Sequence, residues 1–172
     1  MKNCFLLVLA PALAGLAGIG GAQDAPRPHP SFSIKLTGPE AEVKVGAPIP
    51  LKVTFTNISD HDFRTGSIPC SECKTGARRD IDLKVYDSDG KLVPEMPYGR
   101  RIHGREADQL RTPVSVFSSA IKPGNGFREN ANLREEFELQ KPGRYTVQAE
   151  RPDPYSNGLM VKSNTITISL VE

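Results

Sequence analysis

The sequence predicts an all-β protein, a two-sheet antiparallel sandwich of about seven strands with one short helical turn. Three observations predict it. Apolar residues recur at every second position in separate stretches between Phe32 and Leu170, the period of a strand with one buried face. Turn-forming clusters rich in glycine and proline, 15 of each in the chain, fall between those stretches. No segment carries the rhythm of a long amphipathic helix.

The chain opens on a targeting pattern. Met1 and Lys2 give a short positive start, and Phe5 to Ala22 is an uncharged run of Leu, Val, Ala and Gly closing on Gly20-Gly21-Ala22. Residues 1–22 read as a secretory signal peptide cleaved after Ala22. The alternative is an uncleaved anchor, at the lower edge of spanning length. Pro11 with Gly15, Gly18, Gly20 and Gly21 would make such a span easy to unwind. Cys4 precedes the apolar run, so it is not placed like the acylated cysteine of a lipoprotein. The expected product is soluble, secreted or periplasmic, with no stable membrane anchor. Residues 23–30 hold Pro26, Pro28 and Pro30 and read as an extended proline-rich linker. The folded domain is expected over 31–172, a length that buries roughly 68–70% of the unfolded surface and forms a core without metals or many disulfides.

Phe32, Ile34 and Leu36 mark the first strand, and Leu51, Val53 and Phe55 the next, with Lys52, Thr54 and Thr56 facing outward. Ile81, Leu83 and Val85 alternate with Asp82, Lys84 and Tyr86 and run into Asp87-Ser88-Asp89-Gly90, a hairpin signal. A shorter strand is expected over Val114 to Phe117, then a turn at Lys122-Pro123-Gly124-Asn125-Gly126. Asn132 and Glu135 have capping-box spacing, and Leu133 and Phe137 stand four apart, which predicts one helical turn ended by Pro142-Gly143. Tyr145, Val147 and Ala149 give a further strand, and Ile166, Ile168 and Leu170 the last.

Pro142-Gly143-Arg144-Tyr145-Thr146-Val147 resembles the corner before strand F of immunoglobulin-like domains, with Val147 in the place of the core cysteine. Val45-Gly46 through Leu51, Val53, Phe55, Thr56 and Asn57 resembles the second strand of secreted bacterial immunoglobulin-like modules. Ser163-Asn164-Thr165-Ile166 resembles their final strand. The resemblance covers most of Ser31 to Glu172 and implies an immunoglobulin-like sandwich in which Tyr145 is a structural corner, its hydroxyl bonding a backbone group upstream. There is no tryptophan and no cysteine at either core position, so the chain departs from antibody-type domains. A narrower similarity is to small bacterial proteinase-inhibitor sandwiches, whose end loops contact a protease.

Charge bounds the partners. Lys and Arg total 22 against 20 Asp and Glu, and a net charge of +2 supplies no field for nucleic acid. The sequence has no Gly-x-Ser-x-Gly elbow, no His-Glu-x-x-His, no phosphate-binding glycine loop and no dinucleotide fingerprint, so neither enzyme activity nor a cofactor is expected.

Cys70-Ser71-Glu72-Cys73 is the most conspicuous motif, and three readings of it stay open. In an oxidising compartment the pair forms a short-range disulfide. With His61 and His103 it would complete a tetrahedral zinc set. As a redox dithiol it would need a helix N-terminus to lower a thiol pKa, and none is expected there. Arg100, Arg101, His103, Arg105 and Arg111 make a basic loop able to grip an anion through paired guanidinium donors, against the plainer reading of a solvated loop balanced by Glu106 and Asp108. Asp87-Ser88-Asp89-Gly90 opens like a calcium loop, but Tyr98 stands where the bidentate glutamate is required. Asn57-Ile58-Ser59 has the spacing of a glycosylation sequon, and an asparagine that ends a strand needs no such role.

Taken together, these residues predict an exported noncatalytic interaction module, with the connections Arg64–Arg79 and Met96–Arg111 as contact surface for an envelope or extracellular protein or glycan. The alternatives are a metal or redox protein centred on Cys70 and Cys73, and a proteinase-inhibitor-like domain.

Overall fold

The alternation of apolar residues becomes pairing in the computed structural model, which describes residues 29–67, 79–105 and 117–172. Among the described residues ten strands and two short helices follow in chain order. They are β1 (Phe32–Thr37), β2 (Val43–Lys44), β3 (Pro50–Asn57), β4 (Phe63–Ser67), β5 (Asp82–Tyr86), α1 (Pro97–Ile102), β6 (Phe117–Ile121), β7 (Gly126–Asn132), α2 (Leu133–Glu136), β8 (Gly143–Asp153), β9 (Leu159–Lys162) and β10 (Ile166–Val171). The protein is all-β. No helix among the described residues is long and apolar enough to cross a membrane.

Strands β1, β3 and β7 form one antiparallel sheet, and β2, β10, β8 and β5 form a second, with β9 also on β8. The pair β4 and β6 makes a third, two-stranded ladder. One pairing departs from the antiparallel expectation: β2 joins β10 in parallel, Leu170 opposite Val43. The inward residues of the two larger sheets meet in a single core that includes Ile34, Val53, Leu83, Val147 and Ile168. At one end of it Phe32, Phe55 and Phe63 pack with ring centroids 4.5 to 5.1 Å apart, in the stacked and tilted geometries aromatic rings prefer.

The open edge of β1 is closed by a side chain. Asn164 Oδ1 accepts from Leu36 N at 2.8 Å and its Nδ2 donates to Leu36 O at 3.2 Å, so one amide takes the place of a neighbouring strand. Asn57 does similar work at the end of β3. It is fully buried, and its Nδ2 donates to His61 O at 2.8 Å and Ile121 O at 2.7 Å. The nitrogen that would carry a glycan is therefore occupied, and the sequon is a strand terminus.

Two local expectations change. Asn132 does not cap α2, because its Oδ1 accepts from Ile49 N at 2.9 Å instead and ties the helix start to the chain before β3. The helix ends at Glu136, well before Pro142-Gly143, since Phe137 turns extended to bridge Glu95. Of the strand expected over Val114 to Phe117, residues 114–116 lie outside the described residues, and Phe117 opens β6. The Asp87–Gly90 hairpin is satisfied internally: Asp87 Oδ1 accepts from Asp89 N and Lys91 N, and Gly90 takes the left-handed φ of 74° the turn needs.

Candidate functional site

Asp82 and Lys84 face away from the core because Leu83 and Val85 take the inward positions of β5. Beside β5 the chain returns through Val93, whose N donates to Val85 O, then Glu95 and α1. Helix α1 sits hard against α2, with Met96 N donating to Glu136 O at 2.8 Å. Gly99 permits this approach, since a Cβ there would lie 2.1 Å from Glu136 O. His103, at the end of α1, is thereby delivered between Glu95 and Glu136.

The outcome is a chain of acid and base side chains in strict alternation. Glu129 Oε2 lies 3.4 Å from Arg79 Nε, and Arg79 Nη1 lies 2.5 Å from Glu136 Oε2. Glu136 Oε2 lies 3.3 Å from His103 Nε2, whose Nδ1 lies 2.8 Å from Glu95 Oε1. Glu95 Oε1 also accepts from Arg105 Nε at 2.8 Å, and Arg105 Nη2 pairs with Asp82. Asp82 in turn holds Lys84 Nζ at 2.7 Å, and Lys84 reaches Glu150 at 3.7 Å. The middle of this chain is dry and its ends are wet: His103, Glu136 and Arg79 side chains are 1%, 2% and 3% exposed, whereas Arg105 is 40% exposed. His103 Nε2 stands 3.3 Å from Glu136 Oε2, off the line of a well-formed hydrogen bond.

Pairing outweighs burial here. Burial alone would raise Glu136, yet His103 and Arg79 hold its carboxyl below the ordinary value. Asp82 behaves alike, with Lys84 and Arg105 overcoming its desolvation. Asp82, Glu95 and His103 bring one potential metal-ligand atom each within 4.8 Å of one another. Arg105 already holds both of those carboxylates, and its guanidinium supplies the cation the group calls for.

A second charged group sits inside the core. On β8 the inward face continues past Ala149 to Arg151 and Asp153. The Arg151 guanidinium carbon is 5.3 to 5.4 Å from the ring centroids of Phe32, Phe55 and Phe63, within cation–π range of all three. Its Nη2 meets Asp80 Oδ2 at 2.5 Å, while Nη1 is buried with no hydrogen-bond partner among the described residues. Burial holds the Asp80 carboxyl above its ordinary value against the pull of Arg151. Asp153 goes the other way: burial would raise it, but Ser31 N at 2.6 Å and Tyr155 N at 2.9 Å hold it low.

Of the residues singled out in the sequence, Arg100, Arg105 and His103 come together around Glu95: Arg100 Nη1 donates to Glu95 O at 2.9 Å. Arg101 lies on α1. His61 lies elsewhere, exposed, beside Asp60 and with its ring 5.2 Å from that of Tyr155. Cys70, Cys73 and Arg111 fall outside the described residues. Tyr145 is 8% exposed and its hydroxyl donates to Lys141 O at 3.0 Å. Glu95, Glu136 and Arg151 belong to no motif in the sequence, and Arg79 stood out only as the end of a connection. Two had a readable signal: Glu136 shares a helical face with Leu133 by three-residue spacing, and Arg151 is the next inward position after Ala149.

No family model matches the chain, and no curated protein matches it. Solved structures that are similar include a β-glucosidase from Listeria innocua in complex with glucose (TM-score 0.42, 14% identity over 84% of this chain). Others are a β-glucosidase from Erythrobacter marinus (TM-score 0.39, 13% identity over 83%) and a candidate ApaA protein from Bordetella pertussis (TM-score 0.42, 11% identity over 84%). The matched part spans 16% of each β-glucosidase chain and 98% of the Bordetella chain. A likeness of this size specifies neither fold nor activity.

Proposed function

We propose that the chain is an exported, noncatalytic binding module in which an immunoglobulin-like sandwich is the rigid frame. The connections 64–79 and 96–111 form its contact surface, for an envelope or extracellular protein or glycan. What supports the surface is one topological fact about where these connections are rooted. β4 pairs with β6 with Ser67 opposite Phe117, so the chain leaves one connection beside the point where it returns from the other. At their opposite ends Arg79 N donates to Ile102 O at 2.8 Å, and Arg79 and Arg105 both enter the same charge chain. Connections rooted side by side on a fixed scaffold can present one surface, as loops do in binding proteins.

The immunoglobulin-like reading of the frame is supported by the Tyr145 hydroxyl reaching back four residues to Lys141 O, as at a tyrosine corner. The noncatalytic reading is supported by the charge chain itself, in which each described carboxylate faces an arginine or lysine.

The test replaces 68–78 and 106–116 singly and together by short Gly-Ser bridges, with circular dichroism to show that the fold survives. Partners captured by the intact protein from envelope and extracellular fractions are expected to be lost when either connection is trimmed. Capture that survives the double replacement would show that the surface lies elsewhere.

A further inference from the structure

Beside β5 the strand ladder is left incomplete. Val93 N donates to Val85 O at 2.8 Å, so the backbone groups of Val85 face away from β8, and those of Leu83, two residues earlier, face the same way. The opposite strand agrees. Ala149, across from Leu83, gives its N–H to Ser163 Oγ and accepts from Ser163 N at its C=O, both at 2.9 Å. Beyond Val93 the chain turns away from β5, since Pro94 O accepts from Glu138 N at 3.0 Å and Glu95 bridges Phe137. Leu83 N–H and C=O are thus without a backbone partner among the described residues, although the residue is only 1% exposed. A donor and an acceptor side by side and hidden from bulk water mark a place where a partner group belongs.

Where the chain diverges lies a pocket of about 370 Å³, at the small end of the range for small-molecule sites. Leu83, Leu92, Val93, Pro94 and Phe137 line it, and Leu92, 50% exposed at the lip, gains burial when the space is filled. The charged side chains around it are already matched. Arg105 joins Glu95 on one wall to Asp82 on the other, Lys84 is held by Asp82 and Glu150, and Arg100 donates to Glu95 O. A charged ligand would have to break one of these pairs to enter, whereas a neutral one leaves every pair in place.

We propose that this pocket takes a small, uncharged, peptide-like molecule, its amides completing the strand edge at Leu83 and its apolar side chain among Leu92, Val93 and Phe137. One residue flanked by two amides presents an N–H to Leu83 C=O and a C=O to Leu83 N–H, as the next strand of a sheet would. The ligand is short, because a continuing strand would have to break the Arg105 bridge between the two walls. The site goes beyond the contact-surface reading and stands apart from it, since none of its lining residues falls in 68–78 or 106–116.

N-acetylleucine methylamide is titrated into the full-length chain and followed by calorimetry and by the backbone amide resonance of Leu83. It is expected to saturate and to shift that resonance. The analogue with an ester oxygen in place of the inner N–H should bind at least about fivefold more weakly, because Leu83 C=O is left unmatched. N-acetylleucine, which carries a carboxylate, should bind at least about tenfold more weakly, and a blocked trileucine no more tightly than the single residue. Leu92→Asp should weaken binding at least about tenfold with circular dichroism unchanged; if that variant does not fold, the ester comparison decides alone. Failure to saturate, an unmoved Leu83 amide, or equal binding of the ester or of N-acetylleucine overturns the proposal, and tighter binding of trileucine overturns the limit to a small molecule. Binding is expected to survive the double Gly-Ser replacement of the connections, so loss of the ligand and loss of partner capture are read separately.

Discussion

Arg79 and Arg151 are both arginines with side chains almost wholly out of water, and their surroundings could hardly differ more. Arg79 meets two carboxylates, Glu129 and Glu136, and a backbone carbonyl at Asn130. Among the described residues Arg151 meets one carboxylate and three phenyl rings, and one of its nitrogens has no hydrogen-bond partner. Desolvation acts on both regions. In the first it is overcome by pairing, so Glu136 stays low; in the second it wins, so Asp80 is raised and Arg151 is lowered. The difference shows that a buried charge contributes to stability according to how completely it is matched.

The sharpest break of that comparison is Glu136→Gln, which keeps the shape of the side chain and removes the charge between His103 and Arg79. The almost fully buried Arg79 loses a close counter-charge, and a loss of about 3–5 kcal/mol in unfolding free energy is expected by urea denaturation. Because the folded value of Glu136 lies below the unfolded one, its contribution is present above the ordinary carboxylate value. It is lost as pH falls through the lowered folded value. The gap between wild type and variant should therefore close in acid, and a gap that stays constant would mean that shape, not charge, is what the site needs.

Asp80→Ala should cost less, about 1–3 kcal/mol, because Asp80 is 36% exposed and water can reach part of the vacated space. Arg151→Met places an apolar, adaptable chain among the rings and removes the orphaned nitrogen, and is expected to change stability by no more than about 1 kcal/mol in either direction. The double variant Asp80→Ala with Arg151→Met should recover most of the Asp80→Ala loss. If the double variant is as unstable as the sum of the two, Arg151 is contributing through its rings and not through Asp80.

The same contrast explains what could be read in advance. Strands β1, β3, β5, β8 and β10 were legible because each sets apolar against polar residues with period two, and only one register buries the apolar set. β7 was not, because Gly126–Asn132 puts the charged Glu129 between Phe127 and Ala131 on its inward alternate positions, and its pairing with β3 supplies what its own pattern lacks. Pro97 and Gly99 disguise α1 as a loop, although Pro suits a helix start and Gly99 is needed for contact with α2. The charge chain draws on residues from Arg79 to Glu150, so its members carry no common local signal. His103 was visible as a candidate ligand, but its partners Glu95 and Glu136 are selected by tertiary packing alone.

Glu129 connects the two regions and offers the smallest and most discriminating effect. Its carboxylate lies 3.4 Å from Arg79 Nε, yet burial, helped by repulsion from Asp80, raises it above its ordinary value in spite of Arg79 and Arg151. A carboxyl raised on folding binds protons more readily in the folded chain. Its contribution to stability therefore declines as pH rises from the ordinary carboxylate value through the raised folded value. Glu129→Gln escapes that penalty. The variant should match wild type in acid, where Glu129 is protonated, and exceed it by less than about 1 kcal/mol at neutral pH. Wild type gaining on the variant as pH rises would mean that attraction to Arg79 governs this carboxylate, and that Glu129 belongs energetically with Glu136 and not with Asp80.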